Sequence, residues 1–157
     1  MLHPDYHDML AALCAQQAEF LIVGAYAMAA HGLVRSTGDI DIWIRPTADN
    51  AERVWRALET FRAPFFDLTV ADLQTPGVVF QIGIAPVRID LLTAISGVED
   101  FEAAYAAAVV VQVGELEFRA LSRGHLLRNK LAAARPKDLG DVAWLQAMED
   151  EPSLANE

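Results

Sequence analysis

Residues 20–44 read FLIVGAYAMAAHGLVRSTGDIDIWI, and the reading of this stretch decides the fold. It parses as a short apolar strand, a Gly24-Ala25 turn, an alanine-rich helix, a polar loop and a second strand that carries two aspartates. Successive side chains of a strand point to opposite faces, so Asp39 and Asp41 share one face while Ile40, Ile42 and Ile44 line the other. Two carboxylates held side by side repel by about 1 to 4 kcal/mol at ~4 Å, depending on the local dielectric, unless a proton or cation lies between them. A hard divalent cation is the natural occupant of such a pair.

A second acidic strand position follows in Val87-Arg88-Ile89-Asp90-Leu91-Leu92. Arg88 and Asp90 face one way, Ile89 and Leu91 the other. If this strand lies beside Asp39 to Ile44, three carboxylates converge. Magnesium takes few carboxylates and completes its octahedron with water and phosphate oxygens, so such a cluster points to phosphate chemistry. The structural alternative is that Asp90 is simply salt-bridged, with Arg88 as its partner two residues away.

These residues resemble the nucleotidyltransferase superfamily of the DNA polymerase beta type. The resemblance is carried by an apolar strand, Gly24-Ala25 in place of the usual Gly-Gly or Gly-Ser, Asp39-Ile40-Asp41 after the intervening residues 26–38, and Asp90 on a later strand. The wording is closest to small bacterial members related to abortive-infection toxin-antitoxin nucleotidyltransferases. Three later phrases are similar to stretches of those proteins: FQIG at 80–83, RIDLLT at 88–93 and RNKLAAARPKDLGDV at 128–142. The resemblance covers roughly Phe20 to Leu145 and is specific for fold rather than for substrate.

The chain has 157 residues, 54% of them hydrophobic, which is long enough for one domain built around one core. Twelve basic against twenty-two acidic residues give a net charge of -10, which opposes nonspecific attraction to nucleic acid or anionic membranes. The positive charge is concentrated in Arg119, Arg123, Arg128, Lys130, Arg135 and Lys137, a segment without acids. The single cysteine, Cys14, excludes an internal disulfide and any Cys/His metal spacing, which makes the cytosol the default location. The longest uncharged apolar run, Phe20 to Ala30, is about eleven residues and too short to span a bilayer. The first residues, MLHPDYHDM, place acids and histidines where a secretory signal has basic residues.

Taken in order, His3 to Glu19 has Tyr6, Met9, Leu10 and Leu13 at helical spacing. Gly24 permits a sharp turn, and the following helix directs backbone N–H groups outward, an arrangement that binds anions; the plain alternative is a tight strand-to-helix turn. His31 caps the end of that helix. Ser36 and Thr37 offer donors either to phosphate or to loop carbonyls. Pro46-Thr47 caps a helix with the stripe Ala51, Val54, Trp55, Leu58 and Phe61, which makes Trp55 core. Trp43 shares the face of Asp39 and Asp41 and is expected to border the site. A turn of helix at Val70 to Leu73 precedes a hairpin of Val78 to Gly83 with Val87 to Leu92. Asp100 to Ala108 reads as a helix, and Val109 to Val113 with Leu116 to Arg119 as a second hairpin. Ser122 starts a basic helix through Ala134, in which Leu126, Leu127 and Leu131 supply apolar contact while His125, Arg128 and Lys130 reach outward. Arg135-Pro136 breaks it, Asp138 caps the last helix, with Val142, Leu145 and Met148 buried, and the terminal EDEPSLANE is expected to fray.

The expected fold is α/β (α+β): a minimal nucleotidyltransferase core at about 20–121, a small mixed sheet packed by helices, and a short helical extension at about 122–149. The resemblance implies transfer of a nucleoside monophosphate from a nucleoside triphosphate to an acceptor hydroxyl, with Mg²⁺ or Mn²⁺ as cofactor. Asp39, Asp41 and Asp90 are the expected metal ligands and catalytic residues, with Asp90 helping to deprotonate the acceptor. Gly24, Ala25, Ser36 and Thr37 are the expected nucleotide contacts. A triphosphate carries about three to four negative charges, more than the metal site neutralises, so a further cation is required. Lys130 is the first choice for it and Lys137 the second. Asp141 anchors the turn instead of meeting ligand. The acceptor, whether small molecule, protein side chain or RNA end, is left open. The alternative function is a noncatalytic binding protein on the same fold, such as a toxin-antitoxin or regulatory partner.

Overall fold

The computed structural model describes residues 2–34 and 37–149. Helix α1 (Pro4–Ala15) is followed by β1 (Phe20–Val23), α2 (Gly24–Ala30), β2 (Asp39–Ile44) and α3 (Ala48–Phe61). A 3-10 turn at Asp72–Gln74 leads to the hairpin β3 (Val79–Ile84) and β4 (Val87–Leu92). Then come α4 (Phe101–Ala107), the hairpin β5 (Val109–Val113) and β6 (Leu116–Ala120), α5 (Arg123–Ala133), a 3-10 turn at Pro136–Asp138 and α6 (Leu139–Glu149).

The six strands form one mixed sheet in the order β3-β4-β2-β1-β6-β5. β2 runs antiparallel to β1 and parallel to β4, and β1 runs parallel to β6. β1 and β2 are therefore the central strands. A central strand covered on both faces reads as a continuous apolar run, and all four residues of β1 are buried. Ile40, Ile42 and Ile44 of β2 lie in the core, as the alternation of the strand requires.

Helices α1 and α3 pack on each other. Each buries one stripe: Tyr6, Met9, Leu10 and Leu13 on α1, Ala51, Val54 and Leu58 on α3. Asn50 pins the start of α3. Its buried amide donates to the carbonyls of Glu19 and Arg45 and accepts the Glu19 N–H. Trp55 is half-buried against the core and stacks on Phe65, with ring centroids 4.2 Å apart.

Several local expectations shift. The first helix stops at Ala15 because Gln17 takes a left-handed φ of 57°. The 3-10 turn lies at Asp72–Gln74 rather than Val70 to Leu73. Ser122 caps α5 by accepting the His125 N–H, as expected. Asp138 does not cap α6. It ends the preceding 3-10 turn and accepts the backbone N–H of Arg135. Leu145 is buried, whereas Val142 and Met148 are only partly so. On α5 the outward and inward positions differ from the apolar stripe by one residue: Leu131 is exposed and Lys130 is buried. Of the terminal stretch expected to fray, Glu149 ends α6 and residues 150–157 lie outside the described residues.

Candidate active site

The parallel pairing of β2 with β4 sets Asp39 opposite Arg88 and Asp41 opposite Asp90. Asp39, Asp41 and Asp90 thus point from neighbouring strands to the same face, and each offers a carboxylate oxygen within 4.8 Å of the others. The convergence expected from two separate strands is present. Three hard oxygen donors at this spacing suit a small divalent cation such as Mg²⁺ or Mn²⁺.

Gly24 makes room for the cluster. It opens α2 with φ +66°, a left-handed conformation that favours glycine, and a Cβ added there would lie 2.3 Å from Asp41 Oδ2. The position needs glycine for its backbone angle and for the carboxylate against it. Val23 precedes the helix and supplies no side-chain cap, and Gly24 and Ala25 line the same cavity as the acids.

Burial, the neighbouring negative charge of Asp39 and Asp90, and a hydrogen bond with Asp90 push the Asp41 carboxyl up to about 7; Lys137 opposes the rise. The carboxylate is short of positive charge, which is the electrostatic condition that a bound cation relieves.

Part of the acid cluster is already neutralised. Arg88 Nε donates to Asp90 Oδ1 at 2.8 Å, and one terminal nitrogen donates to Asp90 Oδ2 at 3.1 Å and to Asp39 Oδ2 at 3.0 Å. The structural reading of Arg88 as partner of Asp90 is therefore correct without displacing the triad. Thr37 Oγ1 donates to Asp39 Oδ1 at 2.9 Å. The Thr37 hydroxyl orients a member of the triad while Thr37 also lines the cavity. Ser36 lies outside the described residues.

The opposite wall comes from α5 and the turn before α6. Lys130 Nζ lies 3.2 Å from Asp138 Oδ1 and 3.2 Å from Asp141 Oδ2, with all three side chains at most 5% exposed. Arg135 Nε adds a 2.8 Å contact to Asp138 Oδ2. Burial acts to raise the Asp138 carboxyl, but the hydrogen bonds from Arg135 and Lys130 outweigh it and hold the group at about 2. The expectation that Lys130 reaches outward is corrected: it lines the cavity from behind, with its ammonium held between two buried carboxylates. The reason is the pull of Asp138 and Asp141, which a stripe of α5 alone does not reveal. Lys137 is exposed and lines the cavity.

Together these walls enclose a cavity of about 720 Å³ between the acid cluster, Gly24, Ala25, Thr37 and the Lys130 to Asp138 segment. Trp43 does not line it. At that end of β2 the acidic face is covered by α4, and Trp43 is buried edge-on to Phe101 at 4.9 Å. Asn129 and Arg135 stand in the stretch 128–142 that carries the resemblance but were given no contact in the sequence reading; both line the cavity, and the Asn129 amide donates to the Ser96 carbonyl and ties α5 to the loop after β4. The signal for Arg135 was present: it stands in the basic segment, next to the proline that turns the chain back.

A mixed sheet that brings two aspartates of one strand beside a third on the parallel neighbour, facing a strand-glycine-helix turn, defines the nucleotidyltransferase class. Within it, the chain belongs to the family described as "Nucleotidyl transferase of unknown function (DUF2204)", whose match runs over residues 3–155. Among solved structures it is similar to a crystal structure of a candidate nucleotidyltransferase from Thermotoga maritima. The TM-score is 0.59 at 16% identity, over 94% of this chain and 96% of that one. That likeness supports the fold. No curated protein sequence matches the chain. Among the described residues no helix is long and apolar enough to cross a membrane.

Proposed function

We propose that the protein transfers a nucleoside monophosphate from a nucleoside triphosphate to an acceptor hydroxyl, with Mg²⁺ or Mn²⁺ bound by Asp39, Asp41 and Asp90. The observation that carries this reading is the convergence of the three carboxylates within 4.8 Å at the wall of a cavity. The bound ion supplies neutralisation of phosphate charge and polarises the transferring phosphoryl group. The protein's own part is positioning. Asp39 and Asp41, fixed two residues apart on a central strand, hold the triad's geometry, and Thr37 orients Asp39. Asp90 helps take the acceptor's proton. The N–H groups of Gly24 and Ala25 hold the terminal phosphates, and Lys137 supplies the remaining positive charge across the cavity. Lys130 acts from behind, by fixing the turn that carries Lys137.

The test is thermal unfolding with and without Mg²⁺ or Mn²⁺, on the wild type, Asp41→Asn and Asp90→Asn. A ligand that binds only the native state stabilises by about 2.7 kcal/mol at a hundred times its dissociation constant. The wild type is expected to show a rise of that order and the variants to lose most of it; a rise absent from all three proteins, or equal in all three, would overturn the assignment.

A second reading, a noncatalytic binding protein such as a toxin-antitoxin or regulatory partner, is favoured by two observations. Arg88 already neutralises two of the carboxylates, and Ala25 departs from the Gly-Gly or Gly-Ser turn usual in the superfamily that the sequence resembles. Metal and triphosphate binding without transfer to any acceptor would favour it.

A further inference from the structure

The bonding of Arg88 has a consequence for the acid cluster, and it rests on reading that cluster as the metal site. Both oxygens of Asp90 accept from Arg88, Asp39 Oδ2 accepts from the same guanidinium, and Asp39 Oδ1 accepts from Thr37. All four oxygens of these two carboxylates already accept a hydrogen bond. Among the described residues no basic side chain hydrogen-bonds Asp41, the member between them on the sheet. A divalent ion held by the triad would stand a few ångströms from a full positive charge and would compete with the guanidinium for three of these oxygens.

The surroundings allow the side chain to leave while its strand stays. The Arg88 backbone N–H is held by the Gly38 carbonyl and by the Tyr6 hydroxyl, each at 3.2 Å. The side chain is 32% exposed and borders the open cavity. The other basic groups of the cavity are placed differently. Lys130 is locked between Asp138 and Asp141, Arg135 is bonded to Asp138, and Lys137 acts on Asp41 only through space.

We propose that Arg88 is an internal counter-cation that competes with the divalent ion for Asp39 and Asp90, so that metal entry displaces its guanidinium into the cavity. There its planar fork meets phosphate oxygens, which it matches in geometry as it matches carboxylate. The resting cluster is thereby kept partly neutralised without metal, and the same side chain becomes available to an anionic substrate only once metal is bound. Arg88 thus acts on the metal site through Asp39 and Asp90, and on the substrate only after its release.

The experiment is a Mn²⁺ titration followed by the paramagnetic resonance signal of the free ion, on the wild type, Arg88→Gln and Arg88→Lys. Arg88→Gln keeps a hydrogen-bonding side chain without the charge and is expected to bind Mn²⁺ at least tenfold more tightly. Arg88→Lys keeps the charge but cannot fork across two carboxylates, and is expected to gain only severalfold. Unchanged or weaker Mn²⁺ binding in Arg88→Gln overturns the inference and leaves the metal site standing. No binding by any of the three proteins overturns the metal reading and the inference with it. Should Arg88→Gln not fold, the wild type still decides. In protein labelled with ¹⁵N-arginine, the Nε–H signal of Arg88, assigned by its loss in Arg88→Lys, is expected to shift and lose its protection from solvent exchange as Mg²⁺ saturates. A signal that stays protected through saturation shows that the guanidinium does not leave, and sinks the idea.

Discussion

Two clusters of charged side chains face each other across one cavity, and they treat aspartate in opposite ways. Asp41 and Asp138 are both withdrawn from water, yet the first is pushed up to about 7 and the second held down at about 2. Burial works in the same direction on both. The difference lies in what surrounds them: Asp41 has two carboxylates as neighbours, whereas Asp138 has the guanidinium of Arg135 and the ammonium of Lys130. One cluster is closed, with its charges paired within the fold. The other pairs only two of its three acids, through Arg88, and leaves Asp41 among carboxylates, a deficit of positive charge that an arriving cation relieves.

The largest way to break this contrast is to open the closed cluster. Lys130→Met keeps the length of the side chain and removes the charge between Asp138 and Asp141. Breaking a buried pair costs about 3 to 5 kcal/mol, because the carboxylates are left uncompensated. Chemical denaturation at pH 7 is expected to show a loss of that order, shrinking as the pH falls and protonation relieves the stranded acids. A loss under about 1 kcal/mol, together with selective weakening of triphosphate over nucleoside binding, would move Lys130 from the frame into the site.

The converse change should stabilise. A carboxyl with its folded value raised to about 7 favours the protonated form in the native state. Its contribution is therefore present in full below the unfolded value near 4 and is lost as pH rises to about 7, on the order of 4 kcal/mol in total. With chelator present, the wild type is expected to lose stability across that window. Asp41→Asn, which imitates the protonated form, should lack the slope and exceed the wild type by roughly 2 to 4 kcal/mol at pH 8. Should Asp41→Asn be the less stable protein there, Asp41 is already compensated and the two clusters are alike.

Gly24→Ala sharpens the same point from the backbone side. A Cβ would lie 2.3 Å from Asp41 Oδ2, and the left-handed backbone costs a non-glycine residue about 1 to 2 kcal/mol. Unfolding should show that loss, and the metal-dependent rise should vanish with it, since the carboxylate has to move. A variant that keeps the full metal response would mean that Asp41 does not bind the ion.

The open cluster was legible in the sequence, and the closed one was not, for a physical reason. The alternation of a strand is local, so Asp39 and Asp41 on one face, with Ile40 and Ile42 on the other, follow from their spacing. The β3–β4 hairpin that delivers Asp90 is local as well. The pairing of Asp39 with Arg88 depends on the register between strands far apart in sequence, so Arg88 was legible as a partner of Asp90 but not of Asp39. Lys130 read as an outward charge because nothing in α5 itself announces that Asp138 and Asp141 will fold back over it. Trp43 read as bordering the site because alternation gives its face, while the α4 residue that covers it, Phe101, arrives from elsewhere.

The smallest expected effect concerns Ala25, where the open side departs from the Gly-Gly or Gly-Ser turn of the superfamily that the sequence resembles. Residues resembling this turn commonly carry glycine or serine here, and alanine gives up both the extra backbone freedom and a hydroxyl donor. It keeps its N–H, at the start of a helix whose preceding residue, Val23, offers no capping side chain. The main-chain anion site proposed at this turn would thus survive, with one hydrogen bond missing from it. Ala25→Ser restores the hydroxyl within the cavity wall. Calorimetric titration with each nucleoside triphosphate and Mg²⁺ is expected to show binding by the wild type and tightening by about 0.5 to 1.5 kcal/mol in the variant, one hydrogen bond's worth. The corresponding nucleosides, lacking phosphate, should show no change between the two proteins. Equal tightening for nucleoside and triphosphate would place the hydroxyl against base or sugar instead. If neither protein binds any triphosphate while metal binding is intact, the turn at Gly24 and Ala25 is only a turn, and the noncatalytic reading becomes the better account of the open cluster.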